Sequence, residues 1–352
     1  MTDPSGTKPL ITLVTGATGF LGSHVARLLL ERGDVVRVLL RSSSSTRLLE
    51  ALPGKRLERV RGDLRDVVSL HRAMQGVGAV FHVAADYRLW ARNPEDIYES
   101  NLTGTKNLLE AAGRAGVSRF VYTSTVATFA VPQAGSLPDE NTETSIEQMI
   151  GHYKRSKWLA EREALRAAAA GLPVVIVNPS TPVGPGDAKP TPTGRVLVDF
   201  LNGRMPAFVD TGLNFVPVED AAAGHLLAAE RGCVGQRYIL GGENLTLQAV
   251  LAMLSSVSGR PAPRVRLPLA VALAAGYLDA AFSYLVGREP RIPLEGVRMA
   301  RHSMFVNCEK ARLELGFAPG PVATALGRAV CWYQANGYVT PRHMASVAQA
   351  AA

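Results

Sequence analysis

The chain has 352 residues, 47% of them hydrophobic and 19% charged, and a formal net charge of +8 at pH 7. That balance excludes a disordered chain and leaves ample apolar material for one large domain or two ordinary ones. The positive excess is mostly arginine, with no lysine-rich tail or basic–aromatic interleaving, so nucleic acid is not expected as a partner; an anionic small molecule or an acidic membrane surface suits it better.

Leu10 to Thr15 is a run of five to six apolar or β-branched residues and reads as a short buried strand. It enters a turn with Gly16, Gly19 and Gly22, in the spacing GxxGxxG, and a helix follows with Val25, Leu28, Leu29 and Leu30 on one face. Strand, glycine turn and helix make the opening of a dinucleotide-binding βαβ unit. Gly16 allows a sharp turn, Gly19 lets backbone close on a pyrophosphate, and Gly22 lets helix and strand pack closely. Thr18, Phe20 and Leu21 lie at the helix N-terminus, where free N–H groups and a partial positive charge face the phosphates.

Val35 to Leu40 reads as a second strand ending at Arg41, and Arg56 to Arg61 as a weaker third running into Gly62, Asp63 and Leu64. Gly78 to Ala84, Ser118 to Ser124 and Pro173 to Val177 are the fourth, fifth and sixth. Helices are expected over about Pro94 to Ala115 and Ser145 to Ala170. This alternation specifies an α/β fold, a Rossmann-type doubly wound parallel sheet with helices on both faces. Ligands of such sheets bind beyond the C-terminal strand ends, where Arg41, Asp63, Ala84, Ser124 and Asn178 fall.

From Asn178 the alternation stops, and the proline- and glycine-rich stretch to Gly194 reads as a loop and a boundary. A helix near Asp220 to Arg231 and a strand, Gln236 to Leu240, return to the sheet. The expected division is therefore a dinucleotide-binding domain, 1–180 with about 218–242, and a smaller C-terminal substrate domain, about 181–217 and 243–342. Residues 343–352 are expected to be a flexible tail.

Leu267 to Val286, LPLAVALAAGYLDAAFSYLV, is nearly all apolar and has the length of a membrane span, though Pro268, Gly276 and Asp279 interrupt it. A helix packed inside the small domain is the leading reading. An apolar lid meeting a lipid-like substrate or a membrane surface is the second, and a span the third. Nine basic against four acidic residues between Arg260 and Arg312 keep the second open.

Tyr153 and Lys157 stand four apart in HYKRSKWLAE, on one helix face. A cation near a phenol lowers its pKa from about 10 by about 1–3 units, and a phenol so tuned exchanges a proton with a substrate oxygen near neutral pH. The combination carries the signal: a glycine turn after the first strand, TST closing the fifth, and YxxxK about thirty residues later.

TGATGFLGS, GDLRD, HVAA, NLTGTKNLLEAA, VYTSTVAT, YKRSK and NPSTPVGPGD resemble, in this order, the motifs of extended short-chain dehydrogenases/reductases. Within that superfamily the chain looks like the dihydroflavonol-4-reductase-like branch. AADYRLWARNPEDIY, MIGHYKRSK, KPTPTGRVLVDFLNGRMPAFVDTGLNFV and YILGGENLTL look closest to the hopanoid-associated sugar epimerases (HpnA) of bacteria. The resemblance implies that Tyr153 is the catalytic acid/base and that Lys157 lowers its pKa and holds the nicotinamide ribose. The hydroxyl partner falls at Thr125, where the family more often has serine, with Ser124 next to it leaving that assignment open by one residue. Asp63 and Leu64 should sit against the adenine, Ala84 and Ala85 along the cofactor, and Pro179 by the nicotinamide. Asn101 is expected to order the helix and a water rather than touch substrate.

NAD enzymes usually place an acidic residue at the end of the second strand. Here Arg41 is followed by Ser42 to Ser45, which suits a 2′-phosphate, so NADP is expected, with NAD the alternative. The activity implied is reversible hydride transfer at a carbinol or ketone carbon, run either as epimerisation of a sugar or sugar-lipid, as the HpnA resemblance suggests, or as net NADPH-dependent reduction of a ring ketone, as Arg41 suggests. A cofactor-binding regulatory protein without catalysis is the alternative of another class. Asp86, Tyr87 and Arg88 are the candidates for orienting a sugar, with Asn178 beside them. Lys189, Arg195 and Arg204 either bind an anion or are solvated. Cys233, Cys308 and Cys331 form neither a metal motif nor a disulfide framework, and the short polar N-terminal stretch has no exporting segment. Both point to the cytoplasm, with peripheral membrane contact and a homodimer as further expectations.

Overall fold

The computed structural model describes residues 11–340 apart from 130–135, 287, 289 and 291–293. Leu10 and the expected tail lie outside the described residues. The first half alternates as expected: β1 (Ile11–Thr15), α1 (Phe20–Arg32), β2 (Val35–Leu40), α2 (Arg47–Glu50), β3 (Leu57–Arg61), α3 (Val67–Ala73) and β4 (Val77–His82). There follow α4 (Glu95–Tyr98), α5 (Gly104–Ala115), β5 (Arg119–Thr123), α6 (Gly151–Ala169) and β6 (Val174–Pro179). The C-terminal half comprises β7 (Thr181–Val183), α7 (Pro192–Leu201), β8 (Ala207–Val209), β9 (Gly212–Pro217), α8 (Val218–Arg231) and β10 (Arg237–Leu240). It continues with β11 (Glu243–Thr246), α9 (Leu247–Ser258), β12 (Val265–Leu267), α10 (Leu269–Val286), α11 (Leu294–Met299) and α12 (Val322–Ala335).

Seven parallel strands form the main sheet in the order β3-β2-β1-β4-β5-β6-β10. Val14 of β1 lies between Val38 of β2 and Phe81 of β4, and all three are buried. Such central strands are apolar on both faces because helices cover both. Val25 and Leu29 of α1 and Ala221 and Ala222 of α8 fill one side, while Leu108 of α5 and Ala160 and Ala164 of α6 fill the other. The sheet order reverses between β1 and β4, so a crevice opens beyond their C-terminal ends, where ligands of such folds bind.

Two expected helices have more internal structure than their sequence suggested. Between α4 and α5 the chain makes a π turn, Glu99–Thr103, without leaving the helix. The helix expected from Ser145 begins as a 3₁₀ turn, Ile146–Gln148, and α6 starts only at Gly151, whose φ of 83° resets the direction.

The proline-rich stretch after β6 is not wholly a loop. Asn178 and Pro179 extend β6, and Thr181 to Val183 pair in parallel with Phe215 to Pro217 of β9. Pro182 is tolerated because β7 is an edge strand of the small sheet β11-β9-β7. Thr191 then caps α7, its hydroxyl accepting the Gly194 N–H at 3.0 Å, with Pro192 in the first turn. A third core, with Phe200, Phe215, Leu251, Leu326 and Tyr333, joins these elements.

The expectation of a packed apolar helix over 267–286 is corrected. Val265–Leu267 is a strand, and α10 buries only Ala272, Gly276 and Ser283, all small. Its large side chains are exposed, Leu278 at 73% and Leu285 at 80%. Periodicity could not foresee this, because the helix is apolar all round and no polar stripe marks its outer face.

Candidate active site

The glycine turn has the close contacts its spacing implies. Gly16 has a φ of 75°, and a Cβ there would stand 2.6 Å from the Ala84 nitrogen, so the ends of β1 and β4 touch. A Cβ on Gly22 would collide with the Gly16 carbonyl, which binds α1 tightly against the turn. The Gly19 N–H donates to the Gly16 carbonyl at 2.9 Å, and Gly19 caps α1 without any side-chain bond. No acidic residue lies in the first turn of α1. With Thr18, Phe20 and Leu21 only half-buried, the unsatisfied N–H groups there make a cradle that fits a pyrophosphate.

Arg41 is exposed at the end of β2, and its N–H donates to Ser44 Oγ at 3.2 Å while its carbonyl accepts the Ser44 N–H at 3.0 Å. The resulting turn gathers hydroxyls beside the guanidinium, a donor set that fits a phosphate. Asp63, expected against an adenine, instead gives its carboxylate to Arg65 through bonds of 3.0 and 2.8 Å, and that guanidinium holds its carboxyl below the usual range. Leu64 packs where a Cβ on Gly104 would stand, and only its half-buried surface faces outward. Ala84 and Ala85 are half-buried just beyond β4, and Pro179 is buried at the end of β6.

Tyr153 is the third residue of α6, and its phenol lies within interaction range of the Thr125 hydroxyl. Thr125 Oγ1 also accepts the Ala127 N–H at 3.2 Å, which fixes that hydroxyl at the cap of a 3₁₀ turn. The Ser124 hydroxyl is buried and finds no partner, while its N–H donates to the Val177 carbonyl at 2.7 Å. The geometry therefore joins Tyr153 to Thr125 rather than to Ser124.

Lys157 does not do what the four-residue spacing implied. Its Nζ donates to Tyr122 Oη at 2.8 Å and to the Thr123 carbonyl at 2.7 Å, and it lies 4.4 Å from the Tyr122 ring centre. Burial pushes the Tyr153 phenol up to about 12, opposed by the Thr125 hydroxyl, with Asp86 and Tyr87 reinforcing the rise. Burial likewise pulls Lys157 down to about 7, opposed by Glu161. The expected lowering of Tyr153 is thus corrected: the spacing sets both stems on one face, but a lysine is long enough to reach across β5. As it stands, Tyr153 is a neutral phenol at pH 7, a proton donor.

Behind these residues runs a buried polar network. His82 Nδ1 meets Thr15 Oγ1 at 2.7 Å and Nε2 meets Thr105 Oγ1 at 2.9 Å, tying β4 to β1 and α5. Burial, aided by the Lys157 charge, pulls its pKa down to about 3, so the ring is neutral. Asn101, in the π turn, accepts the Asp86 N–H at 2.7 Å and donates to the Asp86 carbonyl and to Ser156 Oγ, both at 2.9 Å. It thereby fixes the start of the 86–91 segment against α6.

The remaining substrate candidates divide. Asp86 and Arg88 hold each other in a fork, with bonds from 2.6 to 3.0 Å. Tyr87 Oη donates to the Lys189 carbonyl at 3.2 Å, so the 86–91 segment reaches the loop after β7. Arg195 is exposed on α7 within electrostatic reach of Tyr87, and Lys189 is exposed nearby. Arg204 pairs with Asp199 at 3.9 Å as a surface ion pair. Asn178 is corrected: it is fully buried, and its Nδ2 donates to the Thr125 carbonyl at 3.1 Å and to Glu161 at 2.8 Å. It belongs to β6, paired with Ile239, and so cannot face a substrate.

Three residues that sequence reasoning missed support the site. Tyr122 receives Lys157. Glu161 joins Asn178 to Arg237, the latter at 3.3 Å. Lys154 is buried with its Nζ 3.8 Å from Met304 Sδ, and burial pulls it down to about 8. Glu161 was open to discovery, since it follows Lys157 by the same four residues that separate Lys157 from Tyr153.

Known proteins are similar to this chain in sequence and fold. Residues 12–241 match the model of a family described as the NAD dependent epimerase/dehydratase family. The chain is 48% identical, over 93% of its length and 95% of the other's, to a Synechocystis protein provisionally named dihydroflavonol 4-reductase. It is 36% identical to the sterol demethylase protein B of Methylococcus capsulatus, over 94% of this chain and 100% of that one. Among solved structures it resembles PA4631, a nucleoside-diphosphate-sugar epimerase from Pseudomonas aeruginosa, with a TM-score of 0.77 and 30% identity over 94% and 99% of the two chains.

Proposed function

The chain belongs to the NAD-dependent epimerase/dehydratase family, and from that premise we propose that it reduces a ketone carbon of a lipid-borne ring or sugar, with Tyr153 as the proton donor and NADPH as the reductant. The observation that carries this reading is the Tyr153–Thr125 pair: a neutral phenol, pushed up to about 12, facing a fixed hydroxyl beside a glycine cradle. A nicotinamide dinucleotide supplies the hydride when bound. The turn from Gly16 to Gly22 would hold its pyrophosphate, Arg41 and the serines after it the 2′-phosphate, Leu64 and the Asp63 backbone its adenine, and Ala84, Ala85 and Pro179 the remainder. Lys157 would hold the nicotinamide ribose by turning from Tyr122.

Thr125 orients the substrate oxygen by hydrogen bonding, and Tyr153 gives that oxygen its proton as the carbon is reduced; in oxidation the proton returns. Residues 1–180 and 218–242 would serve the cofactor, and 181–217 and 243–342 the substrate. The Asp86–Arg88 fork and Tyr87 stand nearest Tyr153 for orienting the reacting ring. Work in the cytoplasm at the inner face of a membrane, as in hopanoid metabolism, fits both the family resemblance and the name of the Methylococcus relative.

Epimerisation of a sugar by the same residues is the second reading, favoured by the likeness to PA4631. The purified protein is assayed with NADPH and NADH against ring ketones, nucleotide sugars and glycosylated lipids. Stoichiometric NADPH consumption, with kcat/KM at least about ten-fold above that for NADH and lost in Arg41→Ala, is expected. Tightly held NAD, with isomer exchange and no net consumption, would establish the epimerase instead.

A further inference from the structure

α10 is built inside out. Val271, Leu278, Phe282 and Leu285 follow one another at spacings of seven, four and three and form one ridge, 52%, 73%, 55% and 80% exposed. The opposite face, turned toward the protein, fully buries only Ala272, Gly276 and Ser283, with Leu269, Leu273 and Ala280 half-buried beside them. Folding in water ordinarily turns the larger apolar side chains inward, because their removal from solvent drives it. A helix of 18 residues with a mean hydropathy of 1.7 that does the reverse is shaped for an apolar medium on its outer side. Asp279, its one acid, is bridged by Arg288 at 2.6 Å.

The charge around the ridge says which medium. Arg264, Arg266, Arg298 and Arg301 are exposed on the flanking segments. Two copies meeting ridge to ridge about a two-fold axis would bring like charges together, whereas an anionic lipid surface attracts them. The inner side of the same helix meets a cavity of about 290 Å³, at the small end of ligand pockets. Ala280 lines it with Leu294, Trp90 and Ile97, and the charged Glu295 and Arg298 and the His152 ring line it too. His152 immediately precedes Tyr153, and the Glu295 carboxylate of α11 sits where a Cβ on Gly151 would stand, so the cavity wall abuts the start of the helix that carries Tyr153.

We propose that α10 docks in the plane of an anionic phospholipid bilayer, ridge into the acyl region and arginines on the headgroups, and that the cavity behind it receives the apolar body of a substrate drawn from that bilayer. The docking stands on the helix alone. The assignment of the cavity to substrate rests on the redox reading of Tyr153.

Vesicles of phosphatidylcholine with and without phosphatidylglycerol are sedimented with the full-length protein at low and high salt. Binding to the anionic vesicles at low salt, at least about ten-fold weaker to the neutral ones, is expected. The double variant Leu278→Glu/Phe282→Glu should lose that binding while keeping its melting temperature and its affinity for NADPH. Absence of vesicle binding by the wild type, equal binding by the double variant, or a dimer that the double variant dissociates in place of vesicle binding would each overturn the docking. For the cavity, a dibrominated fatty alcohol should quench Trp90 fluorescence saturably, with the quenching lost in Trp90→Phe and weakened at least ten-fold in a stably folded Ala280→Phe. Unquenched Trp90, or quenching unchanged by Ala280→Phe, would overturn that half. Neither measurement needs turnover, so a failure of the redox reading would show separately, as absent cofactor consumption.

Discussion

The crevice beyond β1 and β4 and the segment formed by α10 and α11 are both made largely of apolar residues, yet they spend them in opposite directions. Around the crevice Val14, Val38 and Phe81 are buried, and most polar groups among them are matched, His82 with two threonines and Asn101 with Asp86 and Ser156, while the Ser124 hydroxyl is not. On α10 the small side chains are buried and the large ones exposed. The first region is complete in itself, held by strand pairing and by contacts no side chain larger than hydrogen would permit. The second becomes intelligible only against something outside the chain. With the proposed docking, the comparison places fold and chemistry in one region and access to the substrate in the other.

Substitutions in the two regions should therefore differ in kind. Tyr153→Phe removes the proton donor without altering the cradle. It should lower kcat/KM by about 10²–10⁴ while NADPH binding, read by fluorescence, stays within two-fold; an unchanged rate would break the assignment of chemistry to the crevice. Gly22→Ala sets a methyl against the Gly16 carbonyl. A loss of about 1–3 kcal/mol in urea unfolding is expected, together with loss of NADPH binding.

Acid should act on the crevice side as well. Burial holds His82 at about 3 and His225 at about 4, both below the ordinary 6.5. The unfolded chain therefore takes up protons that the folded chain refuses. The contribution of these two rings is complete above pH 6.5 and is lost as pH falls from there toward those values, by about 1.4 kcal/mol per pH unit for each ring. Urea midpoints at pH 7 and 5 measure this, and His225→Asn should remove about half of the difference. The smallest effect belongs to α10: Leu278→Gln should change stability by no more than about 0.5 kcal/mol, since that side chain is 73% exposed. A larger loss would mean the ridge is packed after all and would erase the contrast.

How much of this was legible in the sequence follows the same division. Val35–Leu40 was bounded to the residue, and the other strands of the main sheet to within two or so, because buried parallel strands are uninterrupted apolar runs between turn residues. Gly16 and Gly22 were legible for a similar reason, each being demanded by its immediate neighbours in the chain, whereas Tyr153 was pointed to by motif spacing and Thr125 by the family resemblance. Lys157 was misread because spacing specifies where a stem starts and not where four flexible carbons end. Asn178 was misread because a proline next to it looked like the end of a strand, whereas β10 pairs with β6 through Pro179. The outward ridge of α10 was hidden by composition, since alanine and leucine alternate around the helix and nothing marks a side.

The π turn at Glu99–Thr103 has a consequence for how this protein tolerates changes in length. Such a turn holds one residue more than the helix around it needs, so deleting Leu102 alone would leave a regular helix of good composition. The helix on either side would keep its place, and only the residues of the widened turn would change register. Asn101 would swing away, and Asp86 would lose its tether to Ser156. An alignment gap of a single position there would thus unhook the mouth of the crevice while leaving the hydrophobic core intact.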